Sequence, residues 1–140
     1  MAKRPLPASL KKITDRDFDL MFRRHPSTGK LLMKKDDDAV KQALKNLILT
    51  NNYERPFRIN YGGNIRARLF DLYTTATKDE FQTLIENTIS NYEPRVQLLG
   101  NSGVSVREDP ENNSLIVTIR FKNVLTLNEL ELDVNLNRVR

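Results

Sequence analysis

Phe81, Leu84, Ile85, Thr88, Ile89 and Tyr92 recur at the spacing of one helix face, and the run stops just before Pro94. Proline disfavours helical geometry in the residue before it, so the helix is expected to end at Glu93. Its start is expected at Thr77, because Thr77-Lys78-Asp79-Glu80 has the form of a capping box. An earlier helix is expected from about Asp37 to Thr50, with Val40, Ala43, Leu44, Leu47 and Ile48 on its buried side. Asp36, Asp37 and Asp38 stand at its start, where carboxylates suit the positive end of the helix dipole. Between the two, Asn64 is placed to cap a short helix carrying Ile65, Leu69 and Leu72 on one side.

After Pro94 the period changes to two. Val96 and Leu98, then Val104 and Val106, keep one parity across Gly100 to Gly103, so one bent strand is expected there. Leu115, Val117, Ile119 and Phe121 alternate with more polar positions in a second strand, and Leu130, Leu132, Val134 and Leu136 do so in a third. Short connections favour an antiparallel meander with one buried face. Near the N-terminus, Phe18, Leu20 and Phe22 alternate before a turn marked by Pro26 and Gly29, and Leu31 to Met33 return as a partner strand. The expected fold is therefore α+β: an N-terminal hairpin, then two longer helices and one short helix packed on a C-terminal three-stranded antiparallel sheet.

Composition narrows the function classes. The chain has 140 residues, 39% hydrophobic and 29% charged, which suits one globular domain over residues 15–140 preceded by a flexible basic arm at 1–14. It has no cysteine, which removes disulfides, thiol nucleophiles and Cys-ligated metal sites. No apolar run approaches the roughly 20 residues of a membrane span, and no apolar segment of a secretory signal follows the basic N-terminus. The formal charge of +5 attracts polyanions, but the basic residues are scattered and no aromatic binding motif accompanies them, so nucleic acid is disfavoured as a partner.

Candidate chemistry is sparse. His25 is the one histidine and sits in a turn, and the serines lack a nucleophile-elbow context. Gly62 and Gly63 lack the strand and spacing of a phosphate-binding loop. The acidic triplet lacks the alternating oxygen ligands of a calcium loop. Asn112-Asn113-Ser114 matches a glycosylation sequon in form only. No pair of carboxylates is singled out for glycoside hydrolysis. The expectation is no catalytic residue, no metal, no cofactor and no small-molecule substrate.

Several segments together resemble a known family. These are His25-Pro26 with Thr28-Gly29, the run Glu54-Arg55-Pro56-Phe57, Gly62-Gly63-Asn64-Ile65-Arg66 with Leu69-Phe70, and Glu93-Pro94-Arg95. They resemble the gene-25-like baseplate wedge family of contractile-tailed phages, related to the baseplate E subunit of type VI secretion systems, over about residues 17–138. Tyr53 departs from the pattern, since many relatives carry glycine there. The resemblance implies a structural protein of the virion, in the tail baseplate, assembled in the host cytoplasm. It implies the larger wedge subunits and the tail sheath protein as partners, with tail tube or hub proteins nearby. Glu93, Pro94 and Arg95 would contact the wedge core. Pro94 fixes the backbone, while Glu93 and Arg95 offer an acceptor and a fork of donors.

The third C-terminal strand is the other candidate site. Glu129, Glu131, Asp133 and Asn135 line its polar face, and a sheet edge there would invite another chain to add a strand; the resemblance implies an extended arm of the first sheath subunit as that guest. The competing readings are a small peptidoglycan hydrolase, since some relatives carry a lysozyme label, and a basic adaptor for nucleic acid or protein.

Overall fold

The computed structural model describes residues 15–69, 74–100 and 103–137. The expected arm at 1–14, Leu72 of the short helix and the basic end at 138–140 lie outside the described residues. Strands β1 (Arg16–Phe18) and β2 (Met33–Lys35) form an antiparallel pair. Helix α1 spans Asp36–Leu49, α2 spans Thr75–Tyr92, and four strands follow: β3 (Val96–Leu98), β4 (Val104–Asp109), β5 (Ser114–Asn123) and β6 (Glu129–Asn137).

The two helices pack on one face of the C-terminal sheet. Val40, Leu44, Leu47 and Ile48 of α1 join Phe81, Ile85 and Ile89 of α2 over Val104, Val106, Leu115, Val117, Ile119, Phe121, Val134 and Leu136. This is the face that the period-two pattern marked. Ala43 is only half-buried, and Gln42 is buried instead. Its amide donates to the Phe18 carbonyl (2.7 Å) and to Asp17 Oδ2 (3.2 Å), which fastens the N-terminal hairpin to α1.

Several expectations need correction. Among the described residues the C-terminal sheet has four strands, not three. β3 and β4 both lie along one side of β5, as the shared parity required, but the Gly103 amide turns back to the Gly100 carbonyl (3.3 Å), interrupting the ladder. The short helix is a single 3₁₀ turn, Arg66–Arg68, flanked by buried Ile65 and Leu69. It begins after Ile65, because Asn64 takes a left-handed backbone (φ 51°).

The cap of α2 is Thr74, one turn before Thr77. Thr77 supplies the return bond, its hydroxyl accepting from the Thr74 amide at 2.6 Å, while its own amide donates to Thr74 Oγ1 (3.3 Å). The N-terminal strand stops at Phe18 because the chain turns at once. The Phe22 amide bonds the Asp19 carbonyl (2.8 Å), and Arg23 Nε donates to the Asp19 carboxylate (2.7 Å). Phe18, Leu20 and Phe22 are consequently exposed rather than sharing a buried face.

The register fixes the direction of every backbone group on the outer strand. The Arg120 amide donates to Gly103 O (2.7 Å), and the Arg120 carbonyl accepts from the Leu99 amide (3.1 Å). Even-numbered residues of β5 therefore bond toward β3 and β4, and odd-numbered ones toward β6. Ile119 lies opposite Leu132 and Val117 opposite Val134. So Leu130, Leu132, Val134 and Leu136 spend their backbone groups on β5. Those of Glu129, Glu131, Asp133, Asn135 and Asn137 point away from the sheet.

Candidate functional site

Two surfaces carry the residues singled out by the sequence. The first is the turn after α2. The Glu93 amide closes the helix on the Ile89 carbonyl (2.9 Å), and the chain turns through exposed Pro94 into β3. Arg95 folds back onto Glu93 as a two-pronged fork, Nε to Oε1 at 2.6 Å and Nη2 to Oε2 at 2.8 Å. Glu93 is only 7% exposed, so its charge is held by this partner. Arg95 Nη1 also lies 3.4 Å from Asp15 Oδ2, and the Asp15 carbonyl accepts the first amide of α1, that of Asp36 (2.8 Å). The Glu93 hydrogen bond, with the charges of Glu93 and Asp15 behind it, raises the Arg95 guanidinium further above its ordinary value despite burial, so it stays charged at any working pH.

The structure thus refines the sequence reading. Glu93 and Arg95 are spent largely on each other, and about a third of the Arg95 side chain (34%) is left to the outside. The surroundings supply what the sequence reading missed. The Arg95 carbonyl accepts the Val124 amide (2.9 Å), which brings the β5–β6 turn alongside. That turn exposes Val124, Leu125 and Leu127.

Asp37 holds the turn. Its carboxylate accepts Thr126 Oγ1 (2.6 Å), Asn123 Nδ2 (2.8 Å) and Asn128 Nδ2 (2.8 Å). The bonds from Asn128 and Thr126 keep its pKa below the usual carboxylate value against the opposing effect of burial. The acidic triplet therefore does more than offset the helix dipole; the N-cap, Lys35, makes no side-chain cap at all. The missed signal was available: three apolar residues in a turn that breaks the alternation between Phe121 and Leu130.

The second surface is the edge of β6. Glu129, Glu131, Asp133 and Asn135 are exposed, on the face away from the helices. Across the ladder, Arg120 Nε bonds Glu131 Oε2 (3.0 Å) and Thr118 Oγ1 bonds Asp133 Oδ1 (2.6 Å). Among the described residues, β6 pairs with β5 alone. Among the described residues, no group meets the outward amides and carbonyls of Glu131, Asp133 and Asn135.

The remaining motif segments are brought to neither surface. Glu54 folds its carboxylate onto Asn51, Arg55 stacks on the Tyr61 ring (3.8 Å), and Phe57 is fully exposed. Gly62 is required, since a Cβ there would collide with the Thr50 carbonyl oxygen. Tyr53, where the sequence departs from the pattern, has φ 69°, a left-handed conformation that glycine adopts more readily. His25 sits in an exposed turn, its Nδ1 accepting the Ser27 amide (3.3 Å). Among the described residues, no three His, Asp or Glu side chains are grouped to hold a metal.

Comparison with known proteins decides the family. The family model described as baseplate wedge protein gp25 matches residues 34–126. The chain belongs to the baseplate wedge protein gp25 family. Baseplate wedge protein gp25 of Enterobacteria phage T4 is 32% identical over 93 residues, 66% of this chain and 68% of the phage T4 protein. Three solved structures share the gp25-family fold. One is a Geobacter sulfurreducens protein provisionally described as a tail lysozyme (TM-score 0.71, 18% identity, 79% of this chain and 98% of that one). Another belongs to the anti-feeding prophage baseplate (TM-score 0.60, 22% identity, 91% and 89%). The third is from the baseplate complex of the type VI secretion system (TM-score 0.54, 14% identity, 71% and 92%). These structural likenesses establish the fold of this gp25-family chain and no activity.

Proposed function

We propose that this chain is a non-enzymatic structural subunit of a contractile-tail baseplate wedge in the virion. It joins the wedge core at one surface and starts the tail sheath at another. Family membership supports the wedge role, and the backbone of β6 carries the rest. A nine-residue strand, Glu129–Asn137, ends the sheet with alternate amides and carbonyls directed outward. An extended arm of a sheath subunit adds there as a fifth strand, gaining affinity from main-chain bonds. The acidic row on the strand keeps free copies from pairing with one another. The wedge core docks at Glu93-Pro94-Arg95 and the apolar turn Val124–Leu127 beside it. The preformed fork spares the interface the cost of ordering Arg95 and leaves its outer edge for a partner acceptor. Tube or hub proteins are further neighbours in such an assembly.

Electron microscopy of tails assembled with Glu131→Pro tests the sheath role. The expected result is complete wedges without sheath; sheaths of normal length growing from such baseplates overturn it. Arg95→Ala tests the wedge contact. Removing the fork strands the Glu93 carboxylate, costing the free chain about 1–3 kcal/mol. Co-purification with the wedge subunits is expected to fall much further than that loss of folded protein explains.

A hydrolase is the second reading, on the strength of the tail-lysozyme description of one structural relative. Clearing of a peptidoglycan suspension by the purified protein would establish it. No clearing is expected.

A further inference from the structure

Beside the edge strand the helix layer stops short. Leu130 and Leu132 are only half-buried, whereas Val134 and Leu136 on the same face are buried. The gap is a groove of about 360 Å³ between α1, the turn after β1, and β6. Its apolar lining is Leu132 of β6 with Leu20 and Met21 of the turn, and Lys34, Lys41 and Lys45 line it as well. Lys41 and Lys45 are one helical turn apart on α1, so both ammonium groups stand over the same stretch. Two carboxylates also face the groove. Asp19 is held by Arg23 at 2.7 Å, and Asp38 stands at the start of α1. The Arg23 bond keeps Asp19 ionised below the usual carboxylate range, yet it leaves that carboxylate little charge to offer a guest. The lysines therefore outnumber the open acid.

We infer that this groove reads the side chains of the strand that adds to β6, selecting a guest with an aliphatic residue flanked by carboxylates. This rests on the strand-addition reading above and deepens it. Residues directly opposite one another in a strand pair point to the same face of the sheet. The guest residue opposite Leu132 therefore enters the groove against Leu20 and Met21. Acidic guest residues near it, on the same face, meet Lys41, Lys45 and Lys34. The outer face of β6 carries Glu129, Glu131 and Asp133, so the host is basic on the groove side of the strand and acidic on the other. A guest strand with the opposite polarity fits in only one facing. A one-residue slip reverses it, placing carboxylates against carboxylates. The backbone gives affinity, and the groove gives register.

The test measures binding of the tail sheath subunit of the same tail to the immobilised full-length chain at low and high salt. Three variants are compared: Lys41→Glu with Lys45→Glu, Met21→Glu, and Glu131→Pro. Circular dichroism checks each fold, and Met21→Glu carries the test if the double reversal does not fold, since Met21 is exposed. The expected result is at least a tenfold loss with the double reversal, a smaller loss with Met21→Glu, and wild-type binding that weakens with salt. Wild-type affinity and salt response in both groove variants, with binding lost only in Glu131→Pro, overturn the groove and leave strand addition standing. Binding lost in the groove variants but kept in Glu131→Pro overturns strand addition, and with it the reading of an added strand by the groove. Full binding by all three overturns both.

Discussion

The two edges of the C-terminal sheet are treated differently. On the β4 side, α2 lies against the strand, and Gln82 Nε2 donates to the outward carbonyl of Val104 (2.7 Å). On the β6 side, the outward groups of Glu131, Asp133 and Asn135 meet no partner among the described residues. Both strands put alternating apolar residues into the same core. Burial therefore does not distinguish them, and what lies beside the last backbone row does. Among the described residues, then, a side chain closes one edge of the sheet and none closes the other, and it is on this contrast that the proposed strand addition rests.

The largest effect comes from moving a proline by one residue. Leu132→Pro removes an amide bonded to β5 and is expected to destabilise the free chain by about 1–3 kcal/mol from the orphaned carbonyl alone. Ring strain adds to that. Glu131→Pro removes only an outward amide, as edge strands tolerate, and is expected to cost far less. Urea denaturation of the two variants compares them directly. Equal losses would mean that the outward row is assigned to the wrong residues, and the difference between the edges would vanish.

Next is the turn from which the open edge departs. Asp37→Asn replaces an acceptor of three donors by an amide that must turn a donor toward one of them. The expected loss is about 1.5–3 kcal/mol, the range for hydrogen bonds to a charged group. The pH dependence has a definite sign. The folded pKa of Asp37 is lowered, so its contribution is present above the unfolded value near 4 and lost as pH falls through the folded value. Wild-type stability should decline in that acid window, and the Asp37→Asn variant should decline less. Identical profiles would show that the carboxylate does not hold the turn.

The smallest effect sharpens the contrast from the closed side. Gln82→Leu frees the Val104 carbonyl and is expected to cost about 0.5–1.5 kcal/mol, as one hydrogen bond does. Urea denaturation beside the wild type checks it, and an unchanged stability would mean that the bond to Val104 carries no weight at that edge.

Much of this architecture is legible in the sequence because it is periodic. The buried stripe of α2, its end before Pro94, and the common parity of Val96 to Val106 all follow from local spacing. What spacing could not show depends on distant partners. Asp37 binds residues 86 to 91 positions away, and no helix-start rule anticipates that. The fork from Arg95 to Glu93 depends on the turn at Pro94 and on burial of Glu93, neither of which alternation records. Thr74 and Thr77 both stand where a capping threonine could, and only the side-chain geometry separates cap from return bond. The alternation at Phe18, Leu20 and Phe22 is real in the sequence, but the tight turn at Asp19 disperses it.

The parity of β6 has one more consequence. The groups it would offer an added strand are main-chain amides and carbonyls, and every residue but proline supplies both. Substitutions at 129, 131, 133 and 135 can then accumulate with little penalty, provided the strand stays charged and free of proline. If strand addition takes place there, the outward face of the strand would carry little signature of it for sequence comparison to detect. It would persist through lineages whose side chains have diverged beyond recognition, and would be found only by mapping which way the peptide units point.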